Sequence, residues 1–190
     1  MLTAFLVSFG IIFVAEMGDK SQLMALAFAT RYKALPTLIG ITAATGIVHL
    51  LSVALGAGLG AALPQRPMNF VAGLAFVAFG LWTLRGDELS EDDKKRTEIP
   101  NKHAIWAVGS VFFLAELGDK TMLATVTLAT DHGVIGTWIG STVGMVAADA
   151  IAIVVGRMLG ARLPEKAIKI GASLTFFVFA VLLMYEGVSG

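Results

Sequence analysis

The chain has 190 residues, of which 56% are hydrophobic and only 15% are charged, and its mean hydropathy is +0.80. A soluble domain carries roughly 25% charged residues, so this composition indicates an integral membrane protein. The formal net charge is zero, so the net charge alone says nothing about partners. We predict that the chain lies in a lipid bilayer and that it does not bind nucleic acid. The chain has no cysteine, which excludes disulfides and thiolate metal sites.

Six long apolar stretches predict an all-α fold with six transmembrane helices. Each stretch approaches the ~20 residues that a bilayer core requires. In chain order they are 3–30, 35–62, 68–85, 104–130, 134–160 and 167–187. The opening residues lack the basic start and the cleavage site of a signal peptide, so we expect the first stretch to remain as a span.

The two halves of the chain repeat each other at an offset of 100 residues. The matching residues include Phe13 with Phe113, Glu16 with Glu116, Gly18 with Gly118, Asp19 with Asp119, Lys20 with Lys120, Gly40 with Gly140 and Thr42 with Thr142. We expect a first three-helix repeat at 1–85, a charged linker at 86–103 and a second three-helix repeat at 104–190. Because three is an odd number, the second repeat enters the membrane in the opposite sense, which predicts two inverted-topology repeats.

The distribution of lysine and arginine predicts the orientation in the membrane. Outside the repeated motif, Arg66 alone falls on one side of the predicted spans, and all the other basic residues fall on the side of the linker. Since basic residues are concentrated in cytoplasmic loops, we expect a cytoplasmic linker and both termini outside, in a bacterial inner membrane.

The strongest motif is AEMGDKSQ at 15–22, which returns as AELGDKTM at 115–122. Each copy places charged side chains inside an apolar stretch, where one charge costs about 2.5–3.5 kcal/mol. We therefore predict that the two copies form one cation site. Gly18 allows the backbone to unwind there and to expose carbonyl oxygens as further ligands.

Several polar residues near the motif have alternative roles. His49 and Asp149 occupy the same repeat position near the depth of the two glutamates, and each is either functional or a hydrogen-bonded packing residue. Ser21 and Thr121 are ligands, hydroxyl groups beside the ligands, or donors to a helix carbonyl, and the role of Gln22 is equally open.

A structural alternative pairs Glu16 with Lys20 and Glu116 with Lys120. These pairs would leave the two aspartates, Asp19 and Asp119, without a partner in the same layer, which favours a functional site. Four carboxylates and two ammonium groups sum to a charge of −2, which suits a divalent cation bound by oxygen ligands such as Ca²⁺, Mn²⁺ or Mg²⁺. Crowded carboxylates favour protons when the metal leaves, as an antiporter requires.

The doubled E-x-G-D-K-[S/T] motif, with three spans on each side of a charged linker, resembles the small cation/proton antiporters of the cation/calcium exchanger type. That family includes bacterial manganese exporters of the MneA kind and Golgi manganese/calcium transporters. The resemblance implies export of Mn²⁺ or Ca²⁺ in exchange for H⁺, with no further cofactor. It also implies a metal site at the motif acids, Glu16, Asp19, Glu116 and Asp119. The residues expected to surround the ligands or to couple protons are Lys20, Ser21, Gln22, His49, Lys120, Thr121 and Asp149.

Other functional classes remain as alternatives. A passive divalent-cation channel also lines its pore with acids, and an intramembrane aspartyl protease also uses two membrane aspartates. The protease needs a dyad that shares a proton, whereas a lysine follows each aspartate here. We therefore predict a secondary transporter and no catalytic residues, with a purely structural protein as a further alternative. The sequence predicts no oligomeric state.

Overall fold

The computed structural model describes residues 1–62, 64–85, 103–159 and 165–189. Within these ranges the chain forms eight α-helices and no strand. The helices are α1 (Leu2–Glu16), α2 (Lys20–Arg31), α3 (Ala34–Ala62), α4 (Gln65–Arg85), α5 (Ala104–Glu116), α6 (Lys120–Asp131), α7 (Val134–Leu159) and α8 (Glu165–Ser189). The predicted linker at 86–103 lies outside the described residues except for His103.

Helices α3, α4, α7 and α8 are each long and apolar enough to cross a membrane. Helices α1 and α2 meet the same criterion only as a pair, and the pair is bent by 73°. Helix α5 is apolar but shorter. The protein is therefore an all-α membrane protein, as its composition predicts, while the six spans and their inverted topology stay predictions.

The two copies of the motif break their helices at the same place. Helix α1 ends at Glu16 and α2 begins at Lys20, and α5 and α6 are separated in the same way. Among the described residues, a positive φ occurs only at Gly18 (76°) and Gly118 (81°). Since a side chain makes this conformation unfavourable, glycine permits the break, as predicted for Gly18.

The first helix of each repeat packs against the long helix of the other repeat. Helix α1 contacts α7, and α5 contacts α3, while α4 lies along α8. A Cβ atom added at Gly40 would collide with the backbone of Ile105, and one added at Gly140 would collide with that of Phe5. These repeat-equivalent glycines therefore allow close helix approach, as small residues do in membrane helices.

The apolar core consists of two clusters, and a shift of 100 residues converts members of one cluster into members of the other. Ile11 and Ile12 belong to the same buried cluster as Ala124 and Leu128. The second cluster contains the four repeat-equivalent residues, Val111, Phe112, Met24 and Phe28. Thr45 Oγ1 also donates a hydrogen bond of 3.6 Å to the sulfur of Met145, which is its own repeat equivalent. This exchange agrees with two repeats related by an approximate two-fold axis.

Candidate cation site

The two helix breaks bring the predicted site residues into the interior. The buried members are Glu16, Asp19, Ser21, Gln22, His49, Glu116, Asp119, Lys120, Thr121 and Asp149. Lys20 is the exception, because 19% of its side chain is exposed. Such a concentration of buried charge in a membrane protein indicates a functional site.

Each lysine of the motif pairs with the aspartate of the other repeat. Lys120 Nζ contacts Asp19 Oδ1, and Lys20 Nζ lies 2.7 Å from Asp119 Oδ1. The structural alternative, which pairs Glu16 with Lys20 and Glu116 with Lys120, is therefore not the pairing seen, and the two aspartates do have lysine partners. Residues four apart are neighbours on a continuous helix, and each motif is interrupted between its glutamate and its lysine.

The hydroxyl of each motif donates to the glutamate that ends the preceding helix. Ser21 Oγ donates to Glu16 Oε2 and also lies 3.1 Å from Asp19 Oδ2. In the second motif, Thr121 Oγ1 donates to Glu116 Oε2 over 3.3 Å. The sequence left open whether these hydroxyl groups are ligands, neighbours of the ligands or donors to a helix carbonyl. In the structure they lie beside the proposed ligands and donate to the carboxylates.

Gln22 connects the first break to α7. Its Oε1 accepts a hydrogen bond of 2.8 Å from the backbone N–H of Gly18, and its Nε2 donates one of 2.7 Å to the carbonyl of Ala148. The repeat-equivalent Met122 accepts only a contact of 3.1 Å from the N–H of Gly118 at its sulfur. The first break is therefore tied to α7 beside Asp149, a tie for which Met122 offers no donor.

Several carboxylate oxygens of the site accept no hydrogen bond from any described residue. They are Oε1 of Glu16, Oε1 of Glu116, both side-chain oxygens of Asp149 and both of Asp119, although Asp119 Oδ1 lies in an ion pair 2.7 Å from Lys20 Nζ. The Asp149 carboxylate interacts electrostatically with both glutamates and with Asp19. Buried oxygens without donors are costly, and a cation would satisfy them.

His49 lies on α3 and contacts α7. Its Nδ1 is 3.4 Å from Thr142 Oγ1, which also donates to the carbonyl of Trp138. This contact fits the packing alternative for His49. A shared role of His49 and Asp149 in proton handling stays a prediction.

The described residues contain no group of three or more His, Cys, Asp or Glu side chains arranged to hold a metal ion. Five of the carboxylate oxygens that the sequence assigns to the metal already contact a lysine ammonium group or a hydroxyl group. In the arrangement seen, a divalent cation would therefore have to compete with these donors. The cross-repeat pairing was not foreseen, although the break at Gly18, which the sequence does predict, already removes the pairing within one motif.

Comparison with known proteins agrees with the resemblance seen in the motif. The model of the family described as divalent cation/proton antiporter GDT1 matches residues 4–91 and 104–190. This match covers both repeats and both copies of the motif. No solved structure matches the chain.

Three relatives illustrate the similarity. A GDT1-like protein of Synechocystis is 30% identical, with 96% of this chain and 97% of the relative aligned. The Vibrio cholerae protein named "Putative manganese exporter" is 30% identical over 86% of this chain and 82% of its own length. The divalent cation/proton antiporter GDT1 of Saccharomyces cerevisiae is 25% identical over 97% of this chain and 84% of its own length.

Proposed function

Because the chain belongs to the divalent cation/proton antiporter GDT1 family, we propose that it exports Mn²⁺ from the cytoplasm in exchange for H⁺. The cation site lies at the two helix breaks. Glu16, Asp19, Glu116 and Asp119 are its ligands. The observation that carries this proposal is the pair of buried acidic breaks, one in each repeat.

The charge of the site supports a divalent cation. Four carboxylates and two ammonium groups leave a charge of −2, and one divalent ion neutralises it. Oxygen ligands suit Mn²⁺ and Ca²⁺ alike. The manganese exporter named among the relatives supports Mn²⁺ as the substrate, with Ca²⁺ as the second cation to test.

Proton exchange follows from the burial of the acids. A carboxylate that has lost its metal inside the membrane requires another positive charge, and a proton from the opposite side supplies it. The pairing of α1 with α7 and of α5 with α3 supports two repeats that move against each other around the site. The protein lies in the bacterial inner membrane with both termini outside.

The deciding experiment is reconstitution in proteoliposomes. The flux of Mn²⁺, Ca²⁺ and Mg²⁺ is measured with and without an imposed pH gradient. We expect Mn²⁺ to move against its own gradient when protons flow the other way. The Glu16→Gln variant at matched incorporation is the control and should lose this flux. Downhill flux that ignores the pH gradient would instead identify a passive channel.

A further inference from the structure

We propose that Lys20 and Lys120 act in transport as tethered competitors of the transported cation. The inference rests on the proposed function and deepens it. Each ammonium group occupies an aspartate until the divalent cation displaces it, and returns to that aspartate when the cation leaves. Lys20 and Lys120 belong to the same motifs as the carboxylates, but they compete with the cation and do not bind it.

The geometry that carries this inference is the exchange of partners between the repeats. Asp19 and Asp119 each bind the lysine that begins the opposite repeat's second half-helix. A cation that binds both aspartates has to take the oxygen that each ammonium group now holds. The lysine side chain is a flexible stem with a compact charge, so it can leave the oxygen without a movement of the backbone.

The charges define the order of events. Glu16 Oε1 and Glu116 Oε1 accept no hydrogen bond from the described residues, so a cation can bind them before any ammonium group is displaced. The positive charge of the cation then repels the two ammonium groups, and the cation binds the aspartate oxygens that they leave. In the reverse step the lysines neutralise the aspartates again, which avoids leaving two buried carboxylates uncompensated.

The two pairs differ in their access to the surroundings. The Lys20 side chain is 19% exposed, whereas that of Lys120 is 2% exposed. Lys20 is the less buried of the two lysines, so fewer packing contacts have to change when its ammonium group leaves the aspartate. We therefore assign the first displacement of an ammonium group to the pair of Lys20 with Asp119.

A purely structural pair makes the opposite prediction for binding. If the lysines only hold the repeats together, their removal destabilises the fold and leaves cation affinity equal or lower. If they compete with the cation, their removal raises its affinity in the protein that still folds. The sign of the change in affinity therefore separates the two roles.

The experiment compares the full-length protein with Lys20→Met, Lys120→Met and Lys20→Arg. The matched control is Lys33→Met, since Lys33 is an exposed lysine outside the motif. Mn²⁺ affinity is measured by calorimetry on purified protein, and Mn²⁺ flux is measured in proteoliposomes. We expect roughly tenfold tighter Mn²⁺ binding in each Lys→Met variant, with slower net efflux but retained Mn²⁺/Mn²⁺ exchange. Lys20→Arg keeps the competing charge and should not bind Mn²⁺ more tightly than the parent, while Lys33→Met should stay near the parent in every measurement.

Unchanged or weaker affinity in the folded Lys→Met variants would overturn the inference. If Lys120→Met does not fold, the affinity of Lys20→Met alone tests the inference. Lys20 is partly exposed in the parent protein, so its replacement should disturb folding less. A parent protein that shows no divalent-cation flux would reject the proposed function itself. A parent that transports Mn²⁺, combined with variants of parental affinity, would reject only the role of the lysines.

Discussion

Lys120, the first residue of α6, pairs with Asp19, the residue that precedes α2. The equivalent contact joins Lys20 to Asp119. The two motifs are therefore interlocked, because the lysine partner of each aspartate lies in the other repeat. A substitution in one motif removes the ion-pair partner of a residue in the other motif. The site can therefore be tested by paired substitutions.

Replacing either motif aspartate should abolish transport but should affect stability unequally. Asp19→Asn removes the aspartate partner of the buried Lys120, and breaking a buried ion pair costs about 3–5 kcal/mol. Asp119→Asn removes the aspartate partner of the partly exposed Lys20, which should cost less. We expect a larger loss of thermal stability for Asp19→Asn and near-complete loss of Mn²⁺ flux for both. The double variant Asp19→Asn with Lys120→Met should regain stability without regaining flux. Parental Mn²⁺ affinity in either single variant would contradict the role of the aspartates.

Asp149→Asn should have a milder effect on metal binding than the motif variants. Both oxygens of Asp149 are buried and accept no hydrogen bond from the described residues, so an amide there costs no ion pair. We assign Asp149 to proton handling, and expect the variant to keep Mn²⁺ binding while its flux responds less to the pH gradient. The comparison is made at matched expression with Asp19→Asn. An equal loss of Mn²⁺ affinity in both would place Asp149 among the ligands.

Alanine at either glycine of the breaks should impair the site through the backbone. Gly18 and Gly118 have positive φ, and a side chain there costs about 1–2 kcal/mol. No neighbour lies within 4 Å of a Cβ atom added at Gly118, so a loss in Gly118→Ala would report the backbone conformation and not a collision. The matched control is Gly10→Ala, which also meets no neighbour but lies within α1. Melting temperature and Mn²⁺ flux are measured, and equal values in all three variants would contradict the requirement.

The sequence predicted the apolar stretches, the break at Gly18 and the burial of the polar residues around it, because these depend on local composition and on the conformational freedom of glycine. It did not predict the partners. Pairing of Lys20 with Asp119 depends on how the repeats pack, and a sequence pattern contains no such distance. The contact of His49 with Thr142 has the same origin, since it joins α3 to α7.

The distribution of basic residues predicts that both termini face outside. Reporter fusions at Glu91 in the linker and at Gly190 provide the test. We expect a cytoplasm-active fusion at Glu91 and a periplasm-active one at Gly190, because basic residues stay on the cytoplasmic side. The opposite pair of activities would overturn this orientation.

The two breaks should differ in their access to water. Leu117 is 41% exposed, whereas the repeat-equivalent Met17 is only intermediate in exposure, and the partly exposed Lys20 pairs with the break that contains Leu117. We therefore expect Leu117→Cys to react several times faster than Met17→Cys with a charged, membrane-impermeant thiol reagent in proteoliposomes. The chain has no cysteine, so the parent protein provides a blank.

Transport itself should change this difference in reactivity. In a transporter built from inverted repeats, the site opens alternately to the two sides as one repeat moves against the other, so the environments of equivalent residues exchange. Mn²⁺ together with a pH gradient should therefore raise the labelling rate of Met17→Cys and lower that of Leu117→Cys. Each variant must first retain Mn²⁺ flux. Labelling rates that ignore both Mn²⁺ and the gradient would mean that exposure of Leu117 is a fixed feature of the fold and not a sign of alternating access.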